Sequence, residues 1–142
     1  MFKTLTIAVS LAALLGSSAW AEVHEVQMMN KGEAGTMVFQ PDFLRIAKGD
    51  TVKFVAANKG HNAQSIDGMM PEDASEFQGK LNEEIEVTFD VEGVYGVQCK
   101  PHFAMGMVAT IAVGDATAPD DFLAGRLPKK AKERFEAQLA NQ

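Results

Sequence analysis

Short runs in which apolar and polar residues alternate, each closed by a turn signal, recur along this chain and limit it to a layered β architecture. The clearest is 84–89, where Ile85, Val87 and Phe89 alternate with Glu84, Glu86 and Thr88, so one side faces a core and the other faces water. After the Gly49-Asp50 turn, Val52, Phe54 and Ala56 alternate with Thr51, Lys53 and Val55. Segment 22–30 reads as a first strand, and 37–40 and 43–47 as strand pieces bent at Pro41-Asp42. A turn over 90–93 leads into a strand at 94–99, and Gly114-Asp115 stops another at 106–113. Strands at this spacing predict a two-sheet sandwich. Segment 58–80 is polar and rich in Gly, Asn, Asp and Ser, which predicts a long irregular loop, and loops of that length usually carry function.

The two ends read differently. Lys3, the mostly apolar run from Leu5 to Leu15 and the small-x-small triplet Ala19-Trp20-Ala21 predict a secretory signal peptide over 1–21, cut before Glu22. The run falls short of the roughly 20 apolar residues a membrane span needs, so no membrane insertion is expected. The remainder, 22–142, is one domain's worth of chain, with a helical extension from about 117. Such a leader suits export to the periplasm. Cleavage removes one lysine and no acid, leaving 12 basic against 19 acidic side chains. An acidic chain of this kind is a poor nucleic-acid binder. In the tail, Pro119-Asp120-Asp121 signals a short helix ended by Gly125 and Pro128. Leu127, Ala131, Phe135 and Leu139 then recur every four residues, which predicts a second helix of about three turns packed on the outside of the sandwich.

The chemistry concentrates in Cys99-Lys100-Pro101-His102-Phe103-Ala104-Met105-Gly106-Met107. It holds the only cysteine, so an exported chain has no internal disulfide to make, and a lone thiol there must be buried or tied to a metal. Cys99 and His102 can turn toward one ion, with Pro101 stiffening the loop between them. Met107, or its rival Met105, can add a thioether, and His61 can close the set from the long loop. Two imidazoles, one thiolate and a weakly held thioether suit both Cu(II) and Cu(I), so little has to move when one electron arrives. Four protein ligands leave no open position for a hydrolytic water. A copper-delivery protein is the alternative reading, but Met28-Met29 and Met69-Met70 form no repeated Met-x-x-Met array. A thiol enzyme would need an oxyanion-stabilising loop and a third orienting residue, and neither is evident.

With these residues in view, the chain resembles the cupredoxins, the blue copper family, and within them the pseudoazurin branch. The resemblance rests on C-x2-H-x4-M, on Lys59-Gly60-His61-Asn62, on Gly93-Val94-Tyr95-Gly96 and on Val97-Gln98-Cys99-Lys100-Pro101-His102. The two expected C-terminal helices favour pseudoazurin over plastocyanin. The resemblance implies an all-β, eight-stranded Greek-key sandwich with one type 1 copper held by His61, Cys99, His102 and Met107. It implies that Asn62 hydrogen-bonds the loop carrying the cysteine. It further implies a monomeric, non-enzymatic electron carrier that serves periplasmic redox proteins, with a copper nitrite reductase as acceptor and a c-type cytochrome or the respiratory chain as donor. The ring edge of His102 is the expected electron port, rimmed by Met37, Pro101, Phe103 and Met105. Lys31, Lys59, Lys80 and Lys100 would give that end a basic face on an acidic body and orient it toward an acidic partner. His24 fits no ligand slot and reads as a surface or edge-strand residue.

Overall fold

In a computed structural model that describes residues 20–142, the alternating runs become eight strands in two four-stranded sheets. All but the last two residues of the signal peptide read over 1–21 lie outside the described residues. The first sheet runs in the order β2 (Gly35–Gln40), β1 (Val23–Gly32), β4 (Thr51–Ala56), β6 (Ile85–Thr88). The second runs β3 (Phe43–Ile46), β8 (Val108–Val113), β7 (Gly93–Gln98), β5 (Gln64–Ser65). Two pairs are parallel, β1 with β4 and β3 with β8, and the rest are antiparallel.

The inward faces interdigitate. Val26, Met28, Phe39, Val52, Phe54 and Phe89 from one side meet Ile46, Tyr95, Val97, Ala109, Ile111 and Val113 from the other. Ile85, Val87 and Phe89 do turn inward, as their alternation predicts. β8 is buried at every position, including Thr110. Its second face lies under α1 (Lys129–Leu139), where Val108 and Ala112 pack with Phe122, Ala131 and Phe135. A strand covered on both sides needs a near-continuous apolar run, which Val108-Ala109-Thr110-Ile111-Ala112-Val113 supplies. The one polar member is satisfied, because the Thr110 hydroxyl donates to Gln138 Oε1 at 2.9 Å.

Only one of the two expected C-terminal helices forms. Pro119 O accepts from Phe122 N at 3.0 Å and Asp121 O accepts from Ala124 N at 2.9 Å, which makes turns and no helix. Gly125 follows before a helical nucleus can propagate, and Pro128 forces the chain straight before α1. His24 lies on the part of β1 that pairs with β4 alone, because β2 joins only from Gln27 onward; it is half-buried, and its Nε2 sits 2.9 Å from Asp50 Oδ2.

Candidate metal centre

Three elements deliver donors to one end of the sandwich. β7 ends at Gln98, and Cys99 follows on an extended backbone (φ −95°, ψ 114°) with its side chain fully buried. The chain then winds through a 3-10 helix over Lys100–Met105, which Pro101 begins and which brings His102 back over Cys99. Gly106 reverses the path at φ +88°, a conformation in which a side chain is strained. Met107 then enters the core. Its N–H donates to His102 O at 3.1 Å, and its own carbonyl accepts from Cys99 N at 3.0 Å. His61 comes from the loop after β4 and is fully buried.

The donors converge. Cys99 Sγ lies 3.6 Å from His102 Nδ1 and 3.8 Å from His61 Nδ1, and the two Nδ1 atoms are 3.2 Å apart. A first-row divalent ion bound in a trigonal plane, with bonds of about 2.0–2.1 Å to nitrogen and 2.3 Å to sulfur, would space nitrogens about 3.5 Å apart and nitrogen from sulfur about 3.8 Å. The observed triangle fits that size. Thiolate and imidazole together select copper or zinc over the hard cations. Met107 is fully buried in the same cluster as Cys99, whereas Met105 is 42% exposed.

Burial pushes the Cys99 thiol above its ordinary value, and the amides of Asn62 and His102 pull it partly back. Burial, with a smaller contribution from the charge of His102, pushes the His61 imidazole down. Both effects favour the uncharged forms of the Cys99 thiol and the His61 ring, and a bound cation would favour the thiolate instead.

The surroundings fix these side chains. Asn62 Oδ1 accepts from Lys100 N at 2.7 Å, while its Nδ2 donates to Gly79 O at 3.1 Å and Gln64 Oε1 at 3.0 Å. Asn62 therefore ties the histidine loop to the cysteine loop. Three further residues belong to this frame and carry no spacing signal in the sequence. His61 Nε2 bonds Asn30 Oδ1 at 2.8 Å, which orients the ring and leaves Nδ1 for the centre. Asn82 donates its N–H to His61 O at 2.8 Å and accepts from Gly60 N through Oδ1 at 2.6 Å. Arg134 of α1 donates to Gly106 O at 2.9 Å.

Around this end, His102 is half-buried, and Pro101, Lys59, Lys80 and Lys100 are exposed on the loops that carry the donors or bond to them. Lys31 is exposed beside Asn30 on β1. Met37 is half-buried against the core cluster, and Phe103 turns partly under α1 to join the second cluster, so it contributes less rim than expected. Leu81, 58% exposed next to Asn82, adds an apolar residue there that the sequence reading omitted.

Comparison with known proteins agrees with this chemistry. Residues 26–114 match the family model described as copper binding proteins, plastocyanin/azurin family. The chain is 46% identical over 138 residues to pseudoazurin of Paracoccus pantotrophus, covering 95% of each chain. It is 43% identical over 117 residues to pseudoazurin of Methylorubrum extorquens, covering 81% of this chain and 79% of that one. Among solved structures it superposes on pseudoazurin from Methylobacterium extorquens AM1 with a TM-score of 0.78 at 38% identity, covering 84% of this chain and 98% of the other. Pseudoazurin from Hyphomicrobium denitrificans gives 0.77 at 38% identity with the same coverage. A buried thiol and imidazole triangle at the end of an eight-stranded sandwich, in a chain this similar to these proteins, places it among the pseudoazurins, blue copper electron carriers of the plastocyanin/azurin family and not enzymes.

Proposed function

We propose that this protein carries single electrons between periplasmic redox partners through one copper held by His61 Nδ1, Cys99 Sγ, His102 Nδ1 and the thioether of Met107. The observation that carries the ligand assignment is the 3.2–3.8 Å triangle of the first three donors. Full burial of Met107 beside Cys99, against the exposure of Met105, supports Met107 as the weak fourth ligand. When bound, copper supplies a Cu(II)/Cu(I) couple that this donor set holds in one geometry. The chain's own task is to keep the donors still, to exclude water from Cys99, and to present one ring edge to a partner. His102 is the ligand that is not fully buried, so it is the port. Pro101 stiffens the turn behind that port, and Asn62 holds the turn to the histidine loop.

The partner is expected to be acidic around its own redox centre. Lys31, Lys59, Lys80 and Lys100 are exposed about the port, while the body of the molecule is negative overall, and that arrangement steers a diffusing shuttle. Met37, Met105 and Leu81 offer apolar contact at the same end. A copper nitrite reductase is the proposed acceptor and a c-type cytochrome the proposed donor. Export through the 1–21 leader, with Glu22 as the mature first residue, would put the carrier in the compartment of such partners; no helix among the described residues is long and apolar enough to cross a membrane.

The test is optical and then kinetic. The oxidised copper-loaded protein should be intensely coloured by thiolate-to-copper charge transfer and bleach on adding one electron equivalent. Cys99→Ser should abolish the colour, and persistence of the band in that variant would refute the assignment. Replacing Lys59 and Lys100 with Glu should slow electron transfer to the reductase at low ionic strength and flatten its salt dependence. An unchanged rate at low salt would remove these lysines from the docking face.

A further inference from the structure

We propose that Arg134, on the helix outside the sandwich, is the positioning residue for the axial sulfur: it fixes the peptide that carries Met107 and so sets the length of the weakest copper bond. The inference rests on Met107 being that ligand. Arg134 Nη1 donates to Gly106 O at 2.9 Å and to Met37 O at 2.7 Å, and Nη2 donates to Thr36 O at 2.8 Å. One guanidinium thereby joins α1, strand β2 and the turn that ends at Met107.

The peptide unit between Gly106 and Met107 is then held at both ends. Its carbonyl is bound by Arg134, and its N–H donates to His102 O at 3.1 Å. The next carbonyl, that of Met107, accepts from Cys99 N. Helix and turn are in contact at this point, since a Cβ built on Gly106 would lie 3.0 Å from Lys130 O and Cγ and 3.1 Å from Arg134 Cδ. Among the described residues no carboxylate lies within 4.0 Å of the guanidinium. A half-buried cation that spends its donors on three carbonyls of two segments acts as a clamp, and its planar fork suits that task better than the point charge of a lysine.

A weak axial bond has a shallow energy well, so the backbone and not the metal decides its length. The strength of axial donation tunes the reduction potential, because a closer thioether favours Cu(II). Without the clamp the Gly106–Met107 peptide keeps one of its two anchors, the thioether recedes on average, and Cu(I) gains.

The experiment compares Arg134→Met, which keeps an apolar stem and no donor, with Arg134→Lys, which keeps one donor region, and with Met107→Leu. Arg134→Met should shift the Cu(II)/Cu(I) equilibrium toward Cu(I) by up to tenfold, which for one electron is about 59 mV upward. It should also alter the ratio of the two thiolate charge-transfer bands, with Arg134→Lys intermediate in both readouts. In the copper-free proteins, amide exchange at Met107 should accelerate in the same order. The inference is overturned if both Arg134 variants keep the wild-type potential, band ratio and exchange rate while Met107→Leu moves the potential and bands. If Arg134→Met does not fold, Arg134→Lys decides alone by the same criteria. If Met107→Leu leaves the bands untouched, the axial assignment itself fails and takes this inference with it.

Discussion

Replacing Asn62 with alanine cuts the side-chain bond from the histidine loop to the backbone of the cysteine loop, and the structure permits an estimate of the cost. Asn62 is buried, and it spends its amide on Lys100 N at 2.7 Å, Gly79 O at 3.1 Å and Gln64 Oε1 at 3.0 Å. Gln64 is only half-buried, so water replaces that bond at little cost. The Lys100 amide can also find water, for a net loss of about 1 kcal/mol, whereas the carbonyl of buried Gly79 is left unpaired at about 1–3 kcal/mol. The sum is about 2–4 kcal/mol, and in a domain of this size each kcal/mol moves Tm by about 4 °C, so a fall of about 8–16 °C is expected. Calorimetric melting of the copper-free protein isolates this term from metal binding. The copper-loaded variant should also release copper to a chelator faster, because Lys100 opens the turn that holds His102. A melting temperature within 2–3 °C of wild type, or about half a kcal/mol, would show that the two loops are held by something other than Asn62.

Asp50 gives a pH prediction. The amide of Glu22, then the His24 ring and the Ala47 amide, hold its carboxyl below the ordinary value. A lowered folded value means the stabilisation is complete above the unfolded value near 3.9 and is lost as pH falls through the lower folded value. Urea midpoints from pH 6 to pH 3 should therefore fall less steeply in Asp50→Asn than in wild type, and parallel curves would refute this. Copper should raise Tm, by the equivalent of about 4 kcal/mol at a free concentration 1,000 times Kd; a Tm indifferent to copper would deny that the donors gather only in the folded chain. Gln138→Leu should cost about 2 kcal/mol, because it orphans the buried Thr110 hydroxyl and the Val108 carbonyl, and denaturant titration would expose an unchanged stability.

What could be read in advance follows from how local each signal is. Cys99, His102 and Met107 lie within nine residues, and soft donors that dense have few bland explanations, so the loop that brings Cys99 and His102 together was legible. Ile85, Val87 and Phe89 were legible for the same reason, since a period of two shows within six residues. β5 was not, because Gln64–Ser65 is two residues long and is defined by its partners, Gln98 and Val97 on one side and Gln78 on the other. The turns around 119–124 carry a helix-start signature, but the signature describes the first turn and not whether propagation can follow, and Gly125 ends it. The neighbours of β1 were not legible either: it finds β4, on its far side from β2, through a parallel pairing that no hairpin announces, and only its first residues, around His24, are paired on one side alone. Asn30 and Arg134 escaped entirely: they meet their partners across 31 and 28 residues of chain, and neither residue type at those positions is unusual.

The distribution of donors between the sheets explains why one end of the molecule carries the function. His61 lies on the loop that crosses from β4 of the first sheet to β5 of the second, whereas Cys99 and Met107 immediately flank the β7–β8 pair, where Gln98 and Val108 are neighbours in register. A cation shared by them would tie the loops together at the end of the sandwich, just beyond the paired strands. The protein frames that point with Asn30, Asn62 and Asn82 from one side and Arg134 from the other. These contacts are directional hydrogen bonds to backbone or ring atoms, so they resist displacement of the donors in a way that apolar packing alone would not. A one-electron carrier needs that resistance, because any movement the donors make on gaining or losing charge must be undone at each turnover. The hydrogen-bonded frame is therefore expected to limit the donor movement that each transfer requires.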